Sequence, residues 1–241
     1  MGAGITAATQ KSTDPLQFQR IWWLRPKYLL FAFIGLMAAY VLRHNEGFLV
    51  DPKDLEWQHI QSFKWWLLPH GVAGACALLL APLQFSDRLR QRFTKLHRVV
   101  GRSYVASVFI AAPLGVYIQH AEERIGGTHS FTIETLLQSS LWMLSTGIAL
   151  AFILKGKVQQ HRQWMTRSFA GGPLVFLEVR VIEGFTGWPA ETIVWACVVC
   201  AIPLADLVLQ WQELHRPRSL PAKARREARL TDGLVEAQPD R

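Results

Sequence analysis

The run KLHRVVGRSYV, residues 95–105, sets His97, Arg98, Gly101 and Arg102 at the head of a stretch that stays mostly apolar through Ile118. An imidazole can take a metal or pass a proton, and a guanidinium can hold an anion. Residues three and four apart share a helix face, so His97, Gly101 and Tyr104 line up, while Arg102 lies roughly 140° around from His97. A glycine one turn beyond a histidine leaves room for a flat ligand against the backbone. A second run, HRQWMTRS at 161–168, repeats the theme with His161 followed at once by arginine and then by Arg167 and Ser168. Two neutral imidazoles from two helices are the axial set of a b-type haem, with Arg98, Arg102, Arg162 and Arg167 to meet propionates. Two other readings stand beside it. Histidines and arginines at a membrane surface reach the headgroups on long stems with no further role, or the pair serves another metal or a proton path.

Other costly polar residues fall into two sets. Gln84 and Asp206 join His97, Arg102, Tyr104, His161, Arg167 and Ser168 on the cytoplasmic side. His70, Tyr117, His120, Glu178, Arg180 and Glu183 gather on the other. From His97 to His120 is about 34 Å of helix, so one small ligand cannot touch both sets. Arg180 and Glu183 form an i, i+3 pair that can neutralise itself. Arg167 and Asp206 come to matching depths from opposite helix directions, which predicts an ion pair, with Arg102 as the competing cation. The patterns HGVAG at 70–74 and HRVVG at 97–101 form a short echo, H-x-V-x-G.

The elements that must position these residues are apolar blocks of membrane-crossing length. They span 26–42, 65–83, 99–118, 133–154, 163–185 and 191–211. The fold class expected is therefore all-α, a polytopic membrane protein with a bundle of six transmembrane helices. The chain divides into a basic polar tail over 1–25, the membrane domain over 26–211 and a basic, disordered tail over 212–241. The first block lies behind polar residues and lacks a small-residue exit, which reads as a retained anchor rather than a cleaved signal. A short interfacial helix is expected within 43–64, and a kink near Pro173. Counting Lys27, at the edge of the first block, with the amino tail, Lys and Arg number 19 in the tails and alternate connections on one side and four on the other, with three deeper inside the blocks. Positive charge stays cytoplasmic, so both termini are expected there, in a cell inner membrane.

The net charge of +8 belongs to these topogenic segments. Basic tails of this kind suit anionic lipid headgroups and argue against a nucleic-acid partner. Several of the ten tryptophans, Trp22, Trp23, Trp65, Trp66, Trp188 and Trp211 among them, stand at block ends, where amphipathic rings favour the interface. Three cysteines make no disulfide framework, and Cys197 with Cys200 in ACVVCA reads as packing within an apolar helix. The sequence has no G-x-x-x-x-G-K, G-x-S-x-G or H-E-x-x-H motif.

The segments LPHGVAGACALLLAPLQF, RLRQRFTKLHRVVGRSYV and HRQWMTRS, with EVRV soon after, resemble a bacterial family of multi-pass membrane proteins, domain of unknown function 2306. The likeness covers roughly 65–210. It implies a polytopic membrane protein and no activity. Matching positions are His70, Gln84, His97, Gly101, Arg102, Tyr104, His161, Trp164, Met165, Arg167, Ser168 and Arg180; His120 falls outside the pattern. The expected function is an integral membrane protein with a His/Arg site near the cytoplasmic face. One reading makes it a haem b electron-transfer protein with a quinone or redox partner. The alternative is a transporter, channel or assembly factor with intramembrane ion pairs.

Overall fold

A computed structural model describes residues 26–44, 57 and 60–214. The two tails, apart from residues 212–214, and most of the 43–64 connection lie outside these residues. Expectations for lipid-binding tails and an interfacial helix therefore fall largely outside the described structure. Every regular element described is helical. The helices are α1 (Pro26–His44), α2 (Lys64–Gln84), α3 (Asp87–Arg92), α4 (Thr94–Arg124), α5 (His129–Leu154), α6 (Val158–Phe169), α7 (Val175–Thr186) and α8 (Ala190–Leu214).

Among the described residues, four helices are long and apolar enough to cross a membrane: α2, α4, α5 and α8. The first block folds as α1, whose apolar stretch, Phe31–His44, is shorter. The fifth block is divided. A single π-helical turn, Ala170–Leu174, separates α6 from α7. Its sequence, AGGPL, explains the break. Pro173 has no N–H to give the ladder, and two glycines before it weaken the helix, so the backbone widens locally. A π turn thus stands where a kink is expected, at Pro173.

Local chemistry sets the other boundaries. Ser86 caps α3, its hydroxyl accepting from the Leu89 N–H at 3.4 Å. Gly187 ends α7 in the left-handed conformation at φ 64°, which glycine adopts without steric cost. Large apolar side chains such as Leu36, Val72, Leu79, Leu144, Val199, Leu207 and Trp211 remain exposed, as a lipid-facing surface requires.

Small residues bring the helices together. Ala73, Ala77 and Ala81 recur every fourth residue on the buried face of α2, and Ala111 and Ala112 are buried on α4. Such stripes let backbones approach closely, and dispersion supplies the attraction in lipid. Ser139 on α5 donates to the Ala112 carbonyl at 3.1 Å, tying α5 to α4. Tyr104, Val108, Trp142, Ala149, Met165, Phe169 and Leu177 share the main core. A second core joins α7 and α8 through Val175, Val179, Ile193, Val194, Cys197, Val198 and Ala201. Cys197 is thus a packing residue, while Cys200 is exposed and all three cysteines are free.

Candidate functional site

His97 and His161 stand in the first turns of α4 and α6, at the same end of the bundle. The two rings are held differently. His161 donates through Nδ1 to the Ala149 carbonyl on α5 at 2.8 Å. That bond fixes its tautomer and leaves Nε2 as the lone-pair nitrogen. The Nδ1 atom of His97 is buried and has no hydrogen-bond partner. The His97 backbone carbonyl instead accepts from Gln84 Nε2 at 3.2 Å.

Gly101 does not leave an open slot. A Cβ there would meet Gln84 Oε1 at 3.2 Å. The Gln84 carboxamide therefore occupies the space expected for a flat ligand, and the small residue admits the end of α2. The echoed glycine, Gly74, has nothing within 4 Å, so the two H-x-V-x-G copies sit in unlike surroundings. Arg98 and Arg102 are exposed. Arg167 is committed: its Nε donates to Asp206 Oδ1 at 2.7 Å, and its guanidinium lies 4.7 Å from the Trp164 ring centre. This is the pairing the matched depths predicted, and Arg102 does not compete for Asp206. Beside the pair is a polar cleft lined by Gln163, Leu209, Gln210 and Glu213.

One helical turn beyond Gly101 the polar groups close on themselves. The Thr146 hydroxyl donates to the Trp142 carbonyl at 2.7 Å. Its one proton is then used, so it accepts from Ser168 Oγ, 2.7 Å away. Ser168, having donated, accepts from the Tyr104 hydroxyl at 2.8 Å. Tyr104 in turn accepts from the Trp142 indole N–H at 3.2 Å. The ring of donors joins α4, α5 and α6, and Tyr104, Thr146 and Ser168 have no exposed surface. Every proton is spent, so Tyr104 has no hydroxyl proton to offer a cofactor. Its role is to hold helices together in a medium that cannot solvate it.

The opposite end is dispersed. His70 donates from Nδ1 to the Ala111 carbonyl on α4 at 2.9 Å, and Gly115 makes room for its ring, whose Cε1 is 3.1 Å from a Cβ position. His120 is 57% exposed and 3.9 Å from Glu123, which is a surface arrangement. Tyr117 packs on Trp66 with ring centres 5.0 Å apart. Arg180 and Glu183 stand 3.9 Å apart on α7, the expected i, i+3 pair. Glu178 lies half-buried on the same helix. Among the described residues no group of three or more His, Cys, Asp or Glu side chains could hold a metal ion.

Sequence reasoning left out Trp142, Thr146 and Glu134. The first two look like ordinary members of an apolar block, and only helix packing reveals their partners. Glu134 had a signal, a carboxyl inside the fourth block, but its position near the block's start resembles an interfacial residue. The structure buries it completely.

A family model described as "predicted membrane protein (DUF2306)" matches residues 67–209. No curated protein matches the chain, and no solved structure does.

Proposed function

The chain belongs to the DUF2306 family of predicted membrane proteins, and from that premise we propose that it is an electron-transfer protein holding one b-type haem between His97 and His161. The observation that carries this reading is the unfinished state of His97. Two imidazoles stand in the first turns of separate helices; one is oriented by a backbone carbonyl, as metal-ligating histidines generally are, and the other keeps a buried nitrogen with no partner. An unpartnered buried polar atom costs about 1–3 kcal/mol. An axial pair needs only these two side chains, so the lack of a three-residue metal cluster does not weigh against it.

In this reading His161 and His97 would hold the haem iron, and the group would supply one-electron transfer when bound. Ala149 holds the His161 ring in place. Arg98 and Arg102, both exposed, would be the cations left to meet propionates, because the Arg167 Nε is taken by Asp206. Gln84, which now fills the space over Gly101, would have to move for a flat ring to sit there. A membrane quinone or a redox protein is the partner such chemistry calls for. The second reading, a cofactor-free transporter, channel or assembly factor, is favoured by the Arg167–Asp206 pair, since intramembrane charges often line pathways.

The visible spectrum of the purified protein decides between them. The haem reading expects a Soret band after expression with a haem precursor, lost in both His97→Ala and His161→Ala. A colourless wild-type protein overturns it and leaves the second reading. The proposal includes six crossings of a cell inner membrane with both termini cytoplasmic. In that arrangement α1 and the divided α6–α7 unit add two crossings to the four long apolar helices, and the basic tails rest on anionic lipid.

A further inference from the structure

Glu134 stands in the second turn of α5, at the end of the bundle away from His97 and His161, about 7 Å along the helix from its first residue. Its side chain has no exposed surface, and neither carboxyl oxygen has a hydrogen-bond partner. A carboxylate in that setting has lost its hydration and gained nothing in return, which is the costliest state available to it. A neutral carboxylic acid gives up far less.

The surrounding charges point the same way. On α8 the nearby charged group is Glu191, which is partly exposed and of like sign. The last turns of α4 carry His120, Glu122, Glu123 and Arg124. Of these, Glu123 is engaged with His129 at 2.7 Å, and His120 is 3.9 Å from Glu123. The ionisable residues of α6, His161, Arg162 and Arg167, lie toward the other end of the bundle, and the π turn has none. Arg180 and Glu183 pair on α7. A lone carboxyl with no cluster of ligands around it suits a proton better than a metal cation.

We propose that Glu134 is a proton-binding site: a carboxylic acid that is protonated in the folded protein at neutral pH and exchanges that proton with the surface at its end of the bundle, beside Glu191. The inference does not depend on haem. It concerns another helix face and another end of the molecule.

The test uses the full chain in lipid nanodiscs and infrared spectroscopy. The wild-type protein should show the C=O stretch of a neutral carboxyl at neutral pH, shifted in D2O and missing from Glu134→Gln. Absence of the band from the wild type, or its persistence in the variant, overturns the proposal. A band that appears only after sodium and divalent cations are removed also overturns it, because the site then holds a cation. Unfolding supplies an independent measurement. The folded state keeps a proton that the unfolded chain releases above the ordinary carboxylate range, so stability attributable to this group falls as pH rises. Relative to Glu134→Gln, the wild-type unfolding equilibrium should shift toward the unfolded state by up to about tenfold per pH unit between the ordinary carboxylate range and the pH at which the buried acid itself ionises, and level off above it. A difference that stays constant with pH contradicts the proposal.

Discussion

The ring of hydrogen bonds through Trp142, Tyr104, Ser168 and Thr146 makes each of its members dependent on the next. Ser168→Ala leaves Tyr104 without an acceptor and Thr146 without a donor. Tyr104→Phe strands the Trp142 N–H and removes the donor to Ser168. Each change should lower stability in detergent by about 1–2 kcal/mol. The double variant should cost clearly less than the sum, because both substitutions break the same link. Strict additivity in thermal or denaturant unfolding would show that the ring is not a unit. The Arg167–Asp206 pair is only partly shielded, with side chains 20% and 40% exposed. Asp206→Ala should therefore cost more than the ~1 kcal/mol of an exposed pair and less than the ~3–5 kcal/mol of a fully buried one. Asp206→Glu should recover part of the loss in the same unfolding assay.

At the scale of the element, the π turn is where sequence and packing meet most tightly. A Cβ on Gly172 would collide with the indole of Trp142. That indole cannot retreat, since its N–H is spent on Tyr104 and its ring is in the core. Gly172→Ala should thus destabilise the protein by at least ~1–3 kcal/mol, the usual scale of overpacking. Gly184 on α7 offers a contrast. A Cβ there meets the hydroxyl of Tyr40 on α1, the far end of a half-buried ring that stacks on His44 and Phe185 rather than in the main core's hydrogen-bonded ring. Gly184→Ala should cost less, and its effect should appear as looser α1, read by faster amide exchange in residues 31–44. If Gly184→Ala proves the more damaging of the two, the roles assigned to Trp142 and Tyr40 are reversed.

For the whole molecule, the expectation that matters most is topology. The excess of Lys and Arg on one set of segments, 19 against four, predicts that reporters fused after Arg92 and after Arg241 read cytoplasmic and that one after Gly127 reads external. A periplasmic signal after Arg92 would overturn the six-crossing arrangement. Four of its helices are evident by length and apolarity. The first and fifth blocks show why counting apolar residues has a limit. Hydropathy sums over a window without regard to the backbone path, so it cannot tell a continuous helix from one divided at Ala170–Leu174.

The sequence by itself determined the membrane character, the helical class and the family, because all three follow from one-dimensional properties: block length, the positions of charge and short ordered motifs. It also placed Arg167 level with Asp206, since helix rise converts residue number into depth. Depth is only one of the coordinates a contact requires. Rotation about each helix axis and the approach of neighbouring helices come from packing, and these decided the rest. They closed Tyr104 into a saturated ring, laid Gln84 over Gly101, turned His161 to the Ala149 carbonyl and buried Glu134 without a partner.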